Sequence, residues 1–114
     1  MAANTTPIFP GTVRNDGVVL VKDAAAVPVF SAGSDGSRLD KLLVRANVAG
    51  TLNLSLTNGT VTMPVESIDV TTDTTDILND ERVWAAGSLW LGLGWSLAAS
   101  ANQGMTIIAV GGDY

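Results

Sequence analysis

Residues 38–57 contain two stretches in which apolar and polar side chains alternate. Every second residue of each stretch is apolar: Leu42, Val44, Ala46 and Val48 in the first, and Leu52, Leu54 and Leu56 in the second. Side chains point to opposite faces along a strand, so this period of two predicts two strands that each bury one face. Ala49-Gly50 lies between them, where a tight turn is needed. The simplest prediction is an antiparallel hairpin against which the rest of the chain packs.

The length and composition favour one small β domain. The chain has 114 residues, enough for a single core without a disulfide or a metal. Charged residues make up only 15%, and Thr, Ser, Gly and Val replace the Glu, Lys and Gln typical of helical proteins. About eight short strands separated by turn signals predict an all-β fold, a β-sandwich or a barrel, and we favour a single-domain β-sandwich with jelly-roll topology. We predict an extended N-terminal arm over residues 1–11 and the sandwich over residues 12–114.

Prolines and turn residues set the predicted boundaries before and after the central stretch. The two prolines of residues 2–10 indicate an extended arm. Residues 12–21 are predicted to form one or two short strands, with Asn15-Asp16-Gly17 as a strong turn signal. Pro28 and Pro64 each predict an edge strand, the latter alternatively a bulge, because proline cannot donate a ladder hydrogen bond. Asn58-Gly59 predicts a tight hairpin between two strands.

Residues 83–112 carry no charge, and hydropathy alone would make residues 83–100 a membrane helix. The apolar side chains recur with a period of two instead: Leu89, Leu91, Leu93, Trp95, Leu97 and Ala99. Glycines in this run would each cost a helix about 1 kcal/mol relative to alanine. We therefore predict core strands bent at glycines, a final strand over residues 105–110 that is central or a covered edge, and no membrane partner.

An acidic segment spans residues 71–82. Its carboxylates are Asp73, Asp76, Asp80 and Glu81. A calcium site and a carboxylate pair of the glycosidase type are the alternatives for such a cluster. The spacing does not match an EF-hand loop, so the prediction is a solvated loop or a single helical turn, with no metal and no cofactor.

The composition also limits the chemistry that the chain can perform. It contains neither Cys nor His, so thiol catalysis and the usual general base are absent. Serine or threonine nucleophiles would need Lys22 or Lys41 as the base, and neither lysine has a recognisable partner motif. The formal net charge of −5 disfavours binding to nucleic acids. The prediction is a protein that is not an enzyme.

Three segments together resemble a known family. They are Thr6-Pro7-Ile8-Phe9-Pro10-Gly11-Thr12, then Phe30-Ser31-Ala32-Gly33-Ser34-Asp35-Gly36-Ser37-Arg38-Leu39, and finally Gly94-Trp95-Ser96-Leu97-Ala98-Ala99-Ser100 followed by Ile107-Ile108-Ala109-Val110-Gly111-Gly112-Asp113-Tyr114. In this order they resemble the capsid decoration, or cement, proteins of tailed bacteriophages. The resemblance implies a β-sandwich or jelly roll on the outside of the virion capsid, bound to the major capsid protein as a homodimer or homotrimer.

The resemblance transfers no binding residues, so contact residues are predicted from physical grounds. An apolar, proline-rich arm can gain order by lying on a partner; the alternatives are a disordered tail and a first strand folded onto its own domain. Tryptophans can anchor an interface, although a tryptophan in a small sandwich is more often packed against the edge of its core. The predicted partner-binding residues are Thr6, Pro7, Ile8, Phe9, Pro10, Trp84 and Trp90. One alternative function is a receptor- or carbohydrate-binding module of a phage fibre, with Trp84, Trp90 and Tyr114 as its aromatic platform. Another is a small structural protein of the tail or neck.

Overall fold

The computed structural model describes residues 11–79 and 89–114, which form nine β-strands and one 3-10 turn. The strands are β1 (Thr12–Leu20), β2 (Val27–Ser31), β3 (Ser37–Ala46), β4 (Gly50–Thr57), β5 (Thr62–Val70), β6 (Thr75–Asp76), β7 (Leu89–Leu91), β8 (Ser96–Ala101) and β9 (Met105–Asp113). The 3-10 turn, η1, spans Ile77–Asn79. Of the predicted arm, only Gly11 lies within the described ranges.

The strands form two antiparallel sheets that pack face to face. One sheet has the order β1-β9-β3, with β6 and β7 both pairing with β3, and the other has the order β2-β8-β4-β5. Except for the β4–β5 hairpin and the two short strands on β3, successive strands alternate between the sheets. This is the strand order of a jelly roll, with two interlocked Greek keys. The predicted β-sandwich and its topology are therefore confirmed.

The core lies between the inward faces of the two sheets. On β3 the buried side chains include Leu42 and Val44, and on β4 they are Leu52 and Leu54. Burying each large aliphatic side chain contributes about 1.5–3 kcal/mol. β9 lies between β1 and β3, as predicted for a central strand. Its buried and exposed residues alternate from Met105 to Ala109, and it continues beyond the predicted end to Asp113.

The predicted hairpin between the two central strands is wrong. β3 pairs with β9, whereas β4 pairs with β5 and β8 in the other sheet. Residues 47–49 therefore turn a corner between the sheets, and Val48, which was predicted to be buried, is exposed there. The corner is held by the β8–β9 turn: Asn47 N donates to Gly104 O at 3.0 Å, and Thr51 N donates to Asn102 Oδ1 at 2.8 Å. A period of two identifies a strand but does not identify its partner.

The turn predicted at Asn15-Asp16-Gly17 is also wrong. These residues lie inside β1, which pairs with β9 in unbroken register from Thr12 to Leu20. A Cβ atom on Gly17 would lie 2.8 Å from the backbone oxygen of Ile107 on β9. The glycine therefore serves a close approach of two backbones and not a turn.

The signals at Pro28, Pro64 and Asn58-Gly59 gave correct predictions. β2 and β5 are the edge strands of their sheet, and each has a one-residue bulge, at Val29 and Val65, next to its proline. Asn58-Gly59 forms the β4–β5 hairpin turn, in which Gly59 has a φ of 90° and Asn58 Oδ1 accepts from the amide of Val61. Proline at an edge and glycine at positive φ are the placements that their backbone chemistry favours.

The acidic and uncharged segments are partly described. Residues 71–79 form a loop, β6 and η1, which agrees with the predicted loop or single turn; the rest of the acidic segment lies outside the described residues. Residues 89–101 form β7 and β8 as predicted, but in different sheets joined by a turn over residues 92–95. The longest helical element in the described part of the chain is η1, far short of the ~20 residues that span a membrane.

Candidate functional site

The most connected polar group of the described residues surrounds Arg14 on β1. Its guanidinium group donates to the backbone oxygen of Ser31 at 2.5 Å and to Asp113 Oδ1 at 2.9 Å. It also forms an ion pair with Asp16, and it lies 4.3 Å from the ring centroid of Phe30. Because Ser31 and Phe30 belong to β2, this one side chain joins the edges of the two sheets.

Ser37 and Asp113 complete this group, which we call the Arg14 cluster (Arg14, Asp16, Ser31, Ser37 and Asp113). Ser37 Oγ donates to Asp113 Oδ1 at 2.5 Å and accepts from the amide of Gly33 at 2.8 Å. The pKa of the Asp113 carboxyl is held below its usual range. The largest cause is the hydrogen bond from Ser37, and the hydrogen bond from Arg14 is the next largest. Burial acts to lower the pKa of Arg14, but Asp113 and Asp16 outweigh it and raise that pKa.

The chemistry of the Arg14 cluster is structural. A carboxylate with a lowered pKa is a weaker general base than an ordinary one. Ser37 is only 1% exposed, so its hydroxyl does not face any solvent-borne substrate. The cluster therefore positions β1, the β2–β3 loop and the end of β9, and it offers no nucleophile–base pair.

The lowered pKa of Asp113 predicts a pH dependence of stability. Because the folded-state pKa lies below the unfolded value, near 3.9, the carboxylate stabilises the fold above that value. This contribution is lost as the pH falls through the folded-state pKa. We expect urea denaturation of Asp113→Asn to give lower stability at neutral pH and a flatter decline below about pH 4 than the wild type. Asp69→Asn, at an exposed carboxylate on β5, is the control, and parallel curves for Asp113→Asn and the wild type would contradict the assignment.

An aromatic groove lies at the same end of the sandwich, which we call the Asp113 end. Across the first sheet, Thr12, Asp113, Ser37 and Leu91 lie in one row. Beside that row an open groove of about 220 Å³ is lined by the residues we call the Trp90 surface: Leu56, Met63, Trp90, Leu91, Gly92 and Trp95. Trp90 is 64% exposed, and its indole nitrogen donates to the hydroxyl of Tyr114 at 2.7 Å.

The predicted contact residues are only partly placed. Trp90 is described, and its exposure agrees with its predicted role as a surface anchor without testing that role. It meets Tyr114, the other described member of the predicted aromatic platform. The remaining predicted residues lie outside the described residues: Thr6, Pro7, Ile8, Phe9, Pro10 and Trp84.

Sequence reasoning missed most of the Trp90 surface. The hairpin at Asn58-Gly59 was recognised, and its register alone places Leu56 opposite Met63. Extending that register would have predicted an apolar pair at the end of β4. By contrast, the ion pair between Arg14 and Asp113 joins residues 99 positions apart and has no local signal.

The calcium alternative finds no support within the described residues. Among residues 11–79 and 89–114, no three acidic, His or Cys side chains come close enough together to hold a metal ion. Asp76 instead accepts from the backbone amide of Leu42 at 3.2 Å and from the side-chain amide of Asn79 at 2.5 Å. Two of the acidic residues considered, Asp80 and Glu81, lie outside the described ranges.

Comparison of the chain with protein-family models, with curated proteins and with solved structures finds no match.

Proposed function

We propose that this chain is a structural protein without enzymatic activity that binds the outer surface of a tailed-bacteriophage capsid and reinforces it as a decoration protein. The observation that supports the proposal is that described residues from all three segments of the family resemblance lie together at the Asp113 end. Thr12 and Ser37 both pair with Asp113, and the amide of Ala32 donates to the oxygen of Trp95 at 3.0 Å. Segments far apart in sequence thus build one folded unit.

The Asp113 end also carries the surface that we propose to contact the capsid. The described chain begins at Gly11, next to Thr12 at one side of the row, and Trp90 precedes Leu91 at the other side. Three strand spacings of about 4.8 Å separate Thr12 from Leu91, or about 14 Å. The major capsid protein is the proposed partner of this end, and the exposed aromatic ring of Trp90 is the kind of anchor that carries binding energy.

The charge of the chain suits this location. A formal net charge of −5 repels packaged DNA and is compatible with the exterior of a shell. Contacts of individually modest strength suffice for a decoration protein, because several linked contacts raise the overall affinity by ~10²–10⁴-fold.

Co-sedimentation with undecorated capsids tests the proposal. We expect the wild-type protein to pellet with the shells and Trp90→Ala to bind at least about tenfold more weakly, because the truncation removes a large exposed anchor. Val48→Ala changes an exposed apolar residue at the opposite end of the sandwich and should bind like the wild type. Absence of wild-type binding would refute the function, and normal binding of Trp90→Ala would refute the role of the Trp90 surface.

The contact between Trp90 and Tyr114 favours one second candidate, a carbohydrate-binding module of a phage fibre. Two linked aromatic side chains at an exposed position resemble a platform on which a sugar ring could stack. Binding to a glycan array that is lost in Trp90→Ala, together with no binding to shells, would favour this candidate over the decoration protein.

A further inference from the structure

The outer face of the β1-β9-β3 sheet carries basic side chains in a chain that has few of them. The whole chain contains 6 lysines and arginines against 11 acidic residues. On β3, Leu42 and Val44 are buried in the core. Side chains alternate along a strand, so Lys41, Leu43 and Arg45 point to the outer face. Lys41 and Arg45 are both exposed and lie about 13 Å apart along the strand, on either side of Leu43.

These two cations have no carboxylate partner in the part of the chain that the structure describes. Within residues 11–79 and 89–114, neither Lys41 nor Arg45 forms an ion pair, and Arg45 donates to a backbone oxygen at 3.1 Å. The carboxylates of the same sheet are already engaged. Asp40 pairs with Arg38, Asp76 accepts the two amide hydrogen bonds described above, and those of β1 and β9 belong to the Arg14 cluster. The positive charge of Lys41 and Arg45 is therefore available to a partner.

Apolar side chains lie beside the two cations. In the register of β3 with β9, Lys41 pairs with Val110 and Leu43 pairs with Ile108. Paired residues of neighbouring strands share a face, so Val110 and Ile108 also lie on the outer face. Ile108 is exposed, and Val19 on β1 adds another exposed apolar side chain. The face thus offers both charge and apolar area to a partner.

The outer face of the other sheet has a different character. Its strands β2, β4, β5 and β8 contain no lysine or arginine, whereas β5 carries the exposed residues Glu66 and Asp69. The outward residues of β4 and β8 are small or polar: Thr51, Asn53, Ser55, Thr57, Ser96, Ala98 and Ser100. Cations and exposed β-branched side chains are therefore concentrated on one of the two outer faces of the sandwich.

The basic face is continuous with the Trp90 surface. Arg38 pairs with Gly112 of β9 on one side and with Trp90 of β7 on the other, so one row of residues joins the exposed indole to the sheet. From β1 to β7 the face is about 14 Å wide, and from Arg38 to Arg45 it is about 20 Å long, which gives an area of about 300 Å². A standard interface buries about 800 Å² on each partner. By itself the face supports only a modest contact, of the kind that gains strength when several contacts are linked.

We propose that this face extends the capsid contact of the Trp90 surface and binds a part of the major capsid protein that carries carboxylates. The inference rests on the proposed function and specifies the chemistry of the partner. We call the face the β3 basic face; its residues are Arg38, Lys41, Leu43, Arg45, Ile108 and Val110. Charge complementarity identifies the occupant as an acidic protein surface, in which carboxylates about 13 Å apart meet Lys41 and Arg45 on either side of an apolar contact.

The net charge of the chain gives this contact its orientation. With a formal net charge of −5, most of the molecule repels an acidic partner, whereas the β3 basic face attracts it. Opposite charges on different faces steer two proteins into the orientation in which the charges match. The Trp90 surface, at one end of the β3 basic face, is thereby brought onto the shell.

Co-sedimentation with undecorated capsids at increasing salt tests the inference. Raising the ionic strength from about 0.1 M to 1 M shortens the Debye length from about 10 Å to 3 Å, so the Kd of the wild type should rise at least about fivefold. In 0.1 M salt, Lys41→Glu should raise the Kd at least about tenfold, because it places like charges opposite each other. The binding of Lys41→Glu should weaken less with salt than that of the wild type. Arg45→Glu should act in the same direction.

Lys22→Glu is the matched control, because it makes the same change of net charge in the exposed loop after β1, away from β3. It should bind within about twofold of the wild type. Equal weakening by Lys22→Glu and Lys41→Glu would assign the effect to net charge and overturn the inference. Wild-type binding that neither salt nor Lys41→Glu weakens would also overturn it, while the proposed function would stand. A wild type that does not pellet under any of these conditions would refute the proposed function, and the inference with it.

Discussion

Replacing Gly111 by alanine is expected to lower the free energy of unfolding by about 2–4 kcal/mol and the Tm by about 10 °C or more. A Cβ atom at this position would lie 2.1 Å from the backbone oxygen of Arg38 and 3.0 Å from the Cα of Leu39. Both obstacles are backbone atoms of β3, so no side chain can move aside to make room. Thermal and urea denaturation of the purified variant measure the effect.

Gly92→Ala is the control for this prediction. A Cβ atom on Gly92 would lie 3.9 Å from Trp95, an ordinary van der Waals distance, and we expect the stability to change by no more than about 0.5 kcal/mol. The two variants introduce the same methyl group, so they differ only in what that group meets. Equal stabilities of the two variants would show that the close approach of β9 and β3 at Gly111 relaxes at little cost.

The position of Gly111 also explains why the burial pattern of β3 departs from strict alternation. Leu39 pairs with Gly111, whereas Lys41 pairs with Val110, so Asp40 is an extra residue that forms a bulge. The bulge turns both Leu39 and Leu42 towards the core, although a regular strand would place them on opposite faces. The alternation in the sequence predicted the part of β3 after the bulge, and nothing local to the sequence marked the bulge itself.

For a related reason, the sequence alone did not predict which strands pair with each other. Alternating apolar and polar residues in the sequence show that one face of a strand packs against the core and the other does not. It does not distinguish a hairpin from a corner between two sheets. At Asn58-Gly59 the backbone requirement of the turn identified the hairpin, whereas Ala49-Gly50 lies at a corner held by the distant residues Asn102 and Gly104.

The residues of the Trp90 surface also differ in whether the sequence alone could predict them. Trp90 was predicted as a contact residue from the sequence, as one of the tryptophans of an uncharged segment, and that role stays a prediction. The rest of its surface required the pairing of β4 with β5 and the packing of β7 beside them.

Arg14→Met is expected to destabilise the protein by about 2 kcal/mol. The guanidinium group is the cation of the Arg14 cluster, and its removal leaves the carboxylates of Asp16 and Asp113 without the cation that they share. It also removes the hydrogen bond to the Ser31 oxygen on the opposite sheet. Breaking a buried ion pair costs about 3–5 kcal/mol, and we expect less here because the Arg14 side chain is 21% exposed. Urea denaturation at neutral pH measures the loss.

A double-mutant cycle separates the charge effect from the loss of packing. If the uncompensated carboxylate causes the destabilisation, Asp113→Asn should partly rescue Arg14→Met, so that the double variant loses less stability than the two single variants combined. Arg45→Met is the control. Within the described ranges, this exposed arginine donates one hydrogen bond, to the backbone oxygen of Thr72 in a loop, and its removal should change the stability by less than about 0.5 kcal/mol. Strict additivity of Arg14→Met and Asp113→Asn would mean that Asp113 contributes to stability independently of Arg14, and that the loss in Arg14→Met comes from its other contacts, with Asp16, Ser31 and Phe30.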